Sequence, residues 1–184
     1  MSNITKKAMA QSLKKMLIVK ELDKITITDI TNDCGINRQT FYYHFKDIYD
    51  LLEWIFANEV VEKIEKETTI ETWKENFKYV LDYMLKNKKF IIKTYNSLSR
   101  KTLLDFLFNQ YNTIFIEIVN DLSKNYNITK ENKIFIANFY KYAFAGIIEN
   151  WIVTGMKESP ESIIKKLDVM ISGNFEEAVR KMSN

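Results

Sequence analysis

Four glycines, one proline, one cysteine and one histidine are all that this 184-residue chain holds of those types. So few glycines and prolines argue against a strand-rich fold, whose frequent turns draw on both. With Cys34 alone, no intrachain disulfide can form, and a reducing, cytoplasmic setting is expected. His44 has no companion His or Cys at metal-ligand spacing, so no metal site is expected. There is no P-loop and no GxGxxG, and acids fall on helix faces where solvation is their ordinary role. An enzyme is therefore not expected, and no cofactor is called for. No apolar run reaches the ~18–20 residues that a bilayer crossing needs. The opening Met-Ser-Asn-Ile-Thr-Lys-Lys is followed by no apolar stretch of the kind a secretion signal requires.

What is abundant points to long helices. Hydrophobic residues make up 46% of the chain, with 12 Phe, 10 Tyr and 3 Trp, which excludes a disordered composition. The net charge is a mild +3, but it is unevenly spread. Residues 1–46 carry eight Lys/Arg against four Asp/Glu, and the remainder is close to balance at −1. The basic excess at the N-terminal end suits an anionic partner.

Periodicity predicts nine helices. The first, about residues 5–20, places Met9, Leu13, Met16 and Leu17 on one stripe. The second opens at Thr26, with Asp29 three residues on as a capping box, and closes at Gly35. The third follows Asn37, a favourable N-cap. Phe41 and Phe45 fall within ~40° of each other on it and anchor it inward. Gln39, Thr40 and Tyr43 then lie on the far side, with Arg38 and Tyr42 along one edge and His44 along the other. A fourth helix starts at Asp47 and runs to about residue 67. Others are expected at about 71–86, 90–95 and 100–125. The eighth, about 130–155, is apolar around most of its circumference and so needs cover on every side. A second copy of the chain is the simplest cover. Ser159-Pro160 starts a ninth helix running to about residue 181.

The segment from Thr26 to Phe45 therefore reads as helix, Gly turn, helix. A short helix showing an Arg, an amide, a hydroxyl and two phenols to solvent fits the major groove of duplex DNA. Arg38 can bridge guanine O6 and N7, and Gln39 adenine N6 and N7. Thr40, Tyr43 and His44 can contact phosphates, which sets register without reading sequence. Cys34, in the turn region, reads as a structural thiol.

Gly35-Ile-Asn-Arg-Gln-Thr-Phe-Tyr-Tyr-His-Phe-Lys-Asp47 closely resembles the recognition segment of TetR-family transcriptional regulators. The resemblance covers about residues 5–60. It implies an all-α homodimer with a three-helix helix-turn-helix DNA-binding domain (1–46) and a C-terminal helical bundle for effector binding and dimerisation (47–184). Carried over by position, Thr28, Arg38, Gln39 and Tyr42 face bases, and Thr26, Thr40, Tyr43, His44 and Lys46 face phosphates. Ile48 stands where the family often has a lysine, so that phosphate contact is not carried over. Asn37 to Phe45, Asp50 to Phe56 and the later Gly146-Ile-Ile-Glu-Asn-Trp-Ile152 look like the branch related to dihydroxyacetone-kinase regulators. That branch implies activation as well as repression, and a partner protein as well as a small molecule as the source of the signal.

The expectation is a dimeric regulator on a palindromic double-stranded operator, its two third helices one DNA turn apart, ~34–36 Å. Phe144, Ile147, Ile148, Trp151, Ile152, Ile163, Leu167, Met170 and Ile171 are the expected dimer interface. Trp54, Trp73, Tyr83, Phe90, Tyr95, Phe106, Tyr111 and Phe139 are the candidates for an apolar effector pocket. Two other readings use the same residues: a protein-interaction co-regulator, or a small-molecule carrier with a vestigial DNA-binding domain. No membrane partner is expected.

Overall fold

The computed structural model describes residues 2–60, 69–97 and 100–183. Ten α-helices and a short 3-10 turn occur among them, and no strand. The chain forms two compact units. The first comprises Met1–Lys63 and Asn87–Phe106, the second Ile64–Lys86 and Leu107–Asn184. The sequence division after Lys46 falls inside the first unit, at the link from the third helix to the fourth.

In the first unit, α1 (Ser2–Val19) buries Met9, Ala10, Leu13 and Leu17 and packs against α2 (Ile27–Cys34), α4 (Ile48–Glu59) and α6 (Lys88–Tyr95). A 3-10 turn, Leu22–Lys24, buries Leu22 and leads into α2. Gly35 then ends α2 at φ 65°, ψ 31°, a left-handed conformation costly for other residues. The Ile36 N–H reaches back to the Thr31 carbonyl at 3.0 Å and closes the turn. α3 (Arg38–His44) follows almost at once. The side chain of Asp47 caps α4, accepting the Asp50 N–H at 2.9 Å, and Asp50 accepts the Lys46 N–H at 2.9 Å. Leu51, Leu52, Ile55 and Phe56 turn inward from α4, where Phe56 meets Phe90 (5.7 Å between centroids) and stacks on Phe106 (5.0 Å). The expected extension of α4 to residue 67 lies outside the described residues.

The second unit holds α5 (Trp73–Lys86), the later turns of α7 (Arg100–Leu122), α8 (Lys130–Val153), α9 (Pro160–Ile171) and α10 (Asn174–Lys181). Its core is aromatic. Phe144 lies edge-on to Trp73, Phe77, Tyr111 and Phe115, at 4.8 to 6.2 Å between centroids. Phe175 of α10 stacks on Tyr140 at 3.9 Å. The expected ninth helix is two helices. Ser172 leaves the helical region and Gly173 adopts φ 77°, ψ −28°, so the chain turns and α10 starts afresh. The seventh also stops sooner than expected, at Leu122 rather than near residue 125.

Candidate nucleic-acid interface

The third helix is short, so something other than its own hydrogen bonds must hold it. Two devices do. Phe41 is 0% exposed and Phe45 nearly so, which pins one face to the first unit's core. At the start, Asn37 Oδ1 accepts the Thr40 N–H at 2.7 Å. The face left outside carries Arg38, Gln39, Tyr42 (51% exposed) and Tyr43 (82% exposed). The Arg38 guanidinium is folded toward Tyr42, donating to its hydroxyl at 3.4 Å with the ring centroid 6.0 Å away. His44 is half-buried, its ring edge-on to Tyr43 at 4.9 Å. The side chain of Lys46 is exposed just past the helix, and Thr28 is exposed on α2.

Two of the expected phosphate donors are engaged elsewhere. The Thr40 hydroxyl donates to Asn37 Oδ1 at 2.9 Å. The Thr26 hydroxyl donates to Asp29 Oδ2 at 2.9 Å while accepting the Asp29 N–H at 3.1 Å, and the Thr26 N–H donates to the same carboxylate at 2.8 Å. A hydroxyl has one proton to give. In this arrangement both threonines spend it on a helix cap. The Thr26 backbone N–H, its hydroxyl and then Lys20 hold the Asp29 carboxyl below the usual aspartate range. Two lysines of α1 are matched to acids, Lys14 with Glu59 at 2.6 Å and Lys15 with Asp33 at 3.0 Å.

The expected dimer residues divide. Phe144, Ile148, Trp151, Ile152, Ile163, Leu167 and Ile171 are buried within their own unit, so they are core and not an exterior face. Ile147 and Met170 are exposed, Met170 at 67%. Sequence reasoning missed the side of α8 that does face out: Phe135, Tyr142 and Val153, with Phe139 at 64%. On α9, Val169 and Met170 are exposed as well.

The expected effector pocket does not assemble as one lining. Trp54 lies against Phe45, Phe90 and Phe106 surround Phe56, and the Arg100 guanidinium sits 4.5 Å above the Tyr95 ring, all in the first unit. Tyr83 is buried on α5, and Phe139 faces outward. Trp73 borders a cleft of about 230 Å³ with Lys74, Asp168 and Ile171, and Trp73 and Tyr111 together line a smaller, partly open space with Asn76, Phe77, Val80, Ile114, Phe115 and Phe144. Its volume is about 20 Å³, room for about one water molecule. The Tyr111 hydroxyl is fully buried there with no hydrogen-bond partner among the described residues, and burial pushes its pKa up.

A short helix pinned by two phenylalanines, showing polar groups outward beside a Gly turn, defines a helix-turn-helix protein. The TetR C-terminal family model, described as "Transcriptional regulator C-terminal region", matches residues 71–173, more than half of the chain. The chain belongs to the TetR family of transcriptional regulators. It is a regulator and not an enzyme, and DNA binding follows from that family. It is 28% identical over 156 residues to the HTH-type dhaKLM operon transcriptional activator DhaS of Lactococcus lactis subsp. lactis (strain IL1403), covering 84% of this chain and 82% of that protein. A solved structure of a dihydroxyacetone kinase operon activator DhaS superposes with a TM-score of 0.72 at 24% identity, covering 98% and 99% of the two chains. Native NalD, the secondary repressor of the MexAB-OprM multidrug efflux pump in Pseudomonas aeruginosa, superposes at 0.61 and 12% identity, covering 93% and 96%. No helix among the described residues is long and apolar enough to cross a membrane.

Proposed function

We propose that this regulator acts in the cytoplasm as a homodimer on a palindromic operator, each α3 entering a major groove. The carrying observation is α3 itself: Phe41 buried inward, and Arg38, Gln39, Tyr42 and Tyr43 presented outward. Residues 1–46 supply the DNA contacts, and 47–184 supply dimerisation and the response to an effector. Arg38, Gln39, Tyr42 and Thr28 read base edges. Tyr43, His44 and Lys46 hold phosphates, while Thr26 and Thr40 act through their caps. The exposed apolar side chains Phe135, Phe139, Tyr142 and Val153 on α8 support pairing with a second copy, because exposed large apolar groups clustered on one helix mark an interaction surface. The likeness to an operon activator favours activation as the sign of regulation.

A titration of duplexes taken from the chain's own upstream region tests the DNA assignment. Gln39→Ala and Tyr42→Ala should lose preference for the operator over random duplex, with ~1–3 kcal/mol per lost base contact. Equal preference in wild type and both variants would remove α3 from the reading role.

A further inference from the structure

The assigned phosphate contacts all come from α3 and the residue pair that follows it, yet α1 brings a cation to the same end of that helix. On α1 and just beyond it, Lys14, Lys15 and Lys20 each sit beside a carboxylate, Glu59, Asp33 and Asp29. Lys6 forms no ion pair among the described residues. Its ammonium lies 5.6 Å from the centroid of the Phe45 ring and 5.9 Å from that of Trp54. Phe45 is the residue that closes α3, and its ring is 6.4 Å from the His44 ring. Aromatic faces hold a cation in place without neutralising it, whereas a carboxylate does both. Lys6 is thus a positioned, uncancelled positive charge over the ring of the residue that lies between His44 and Lys46 in the chain. Lysine is a point charge with no fixed fork, suited to a phosphate and poorly suited to reading a base edge.

We propose that Lys6 grips a DNA phosphate next to those held by His44 and Lys46, so that α1 contributes directly to the interface and is not merely its platform. This rests on the DNA-binding reading. A charge that contacts phosphate supports all sequences alike and adds to the salt dependence of binding, about 0.9 to the slope of log affinity on log salt per contact.

The test is a fluorescence-anisotropy titration of the full-length chain on an operator duplex and a scrambled duplex, between ~50 and ~200 mM salt. Lys6→Gln, Lys6→Arg and Lys7→Gln are compared with wild type, and thermal melting is recorded in parallel. Lys7 is exposed on the same helix turn and has neither ring beneath it, so it controls for diffuse charge. Lys6→Gln should lower affinity several-fold on both duplexes and flatten the slope by roughly 1.8 per dimer, two contacts of ~0.9. Lys6→Arg should restore both, and Lys7→Gln should change neither. A slope unchanged in Lys6→Gln overturns the proposal, and so does an equal flattening in Lys7→Gln. A lowered melting temperature with an unaltered slope shows a packing role only and also overturns it. If wild type fails to bind either duplex at low salt, the DNA-binding reading itself has failed, which is a distinct result.

Discussion

Thr26→Ala separates capping from DNA contact at a position where the resemblance and the geometry disagree. The Thr26 hydroxyl accepts the Asp29 N–H at 3.1 Å and gives its proton to Asp29 Oδ2 at 2.9 Å. Alanine removes both bonds and leaves the Thr26 N–H on the carboxylate at 2.8 Å, so half of the capping box survives. Loss of an N-cap hydroxyl costs ~1 kcal/mol, with ~0.5–2 as the range. For a chain of this size that lowers the melting temperature by roughly 2–4 °C. The urea midpoint should fall with the slope m unchanged, since no extra surface is exposed in either state. Protein concentration must be held fixed across the series, because the proposed dimerisation would feed into apparent stability. DNA affinity should fall only as far as α2 frays, and the salt slope should stay at its wild-type value. Thr26→Ser keeps the hydroxyl and should behave as wild type in both assays. The reasoning is refuted if Thr26→Ala melts as wild type and flattens the salt slope by ~0.9 per contact, because the hydroxyl is then spent on phosphate.

Other perturbations follow from the same geometry. Phe139→Glu puts a carboxylate in the exposed α8 stripe; the lost burial of ~1–2 kcal/mol per protomer alone weakens dimerisation by more than tenfold, and sedimentation should show monomer. Phe144→Ala, five residues on and on the buried side, should instead cost ~3–5 kcal/mol of folding stability through the cavity it leaves. Tyr111→Phe removes a buried hydroxyl that has no partner among the described residues, so the variant should be more stable by ~1–2 kcal/mol; a loss of similar size would show that the hydroxyl is satisfied in solution. The Asp29 carboxyl, held low by the Thr26 N–H, stabilises the fold above the ordinary aspartate pKa of about 4, and that contribution disappears as pH drops through its lowered folded-state value. A carboxyl titration of Asp29 by NMR with a midpoint at or above that of a free aspartate would contradict the cap.

Local chemistry made the N-terminal unit legible. Thr26 with Asp29, Gly35, Asn37, and Asp47 with Asp50 each cap or end a helix where their side chains or left-handed tolerance predict, because a cap depends on residues within one turn. The same local chemistry overrides periodicity once, between α9 and α10. Ile163, Leu167, Ile171, Phe175 and Val179 recur every four residues, a stripe that reads as one continuous helix. Gly173 breaks it because a left-handed turn is permitted there, and α10 then resumes the stripe from a new start, burying Phe175 and Val179. Periodicity survives such a turn, so Ser172-Gly173-Asn174 was the better guide.

The C-terminal misreadings share one cause: a helix that is apolar on two sides does not reveal which side its own bundle claims. On α8, the residues at 136, 140, 144, 148 and 151 form one stripe and those at 135, 139, 142 and 153 another, and both are apolar. Nothing in the spacing ranks them. The choice is made by Trp73, Phe77, Tyr111 and Phe115, which come from helices far away in sequence and close around Phe144. Once that stripe is taken, Phe139 faces outward and leaves the unit's own core. The same logic scattered the pocket candidates, because aromatic residues at helical spacing fill whichever core their helix meets. Trp54, Phe90, Tyr95 and Phe106 meet the first unit's core and Trp73 and Tyr111 the second's. Dimerisation and effector assignments therefore depend on long-range pairing, and the Phe139→Glu and Phe144→Ala pair measures that distinction directly: one should lose the partner and keep the fold, the other should lose the fold.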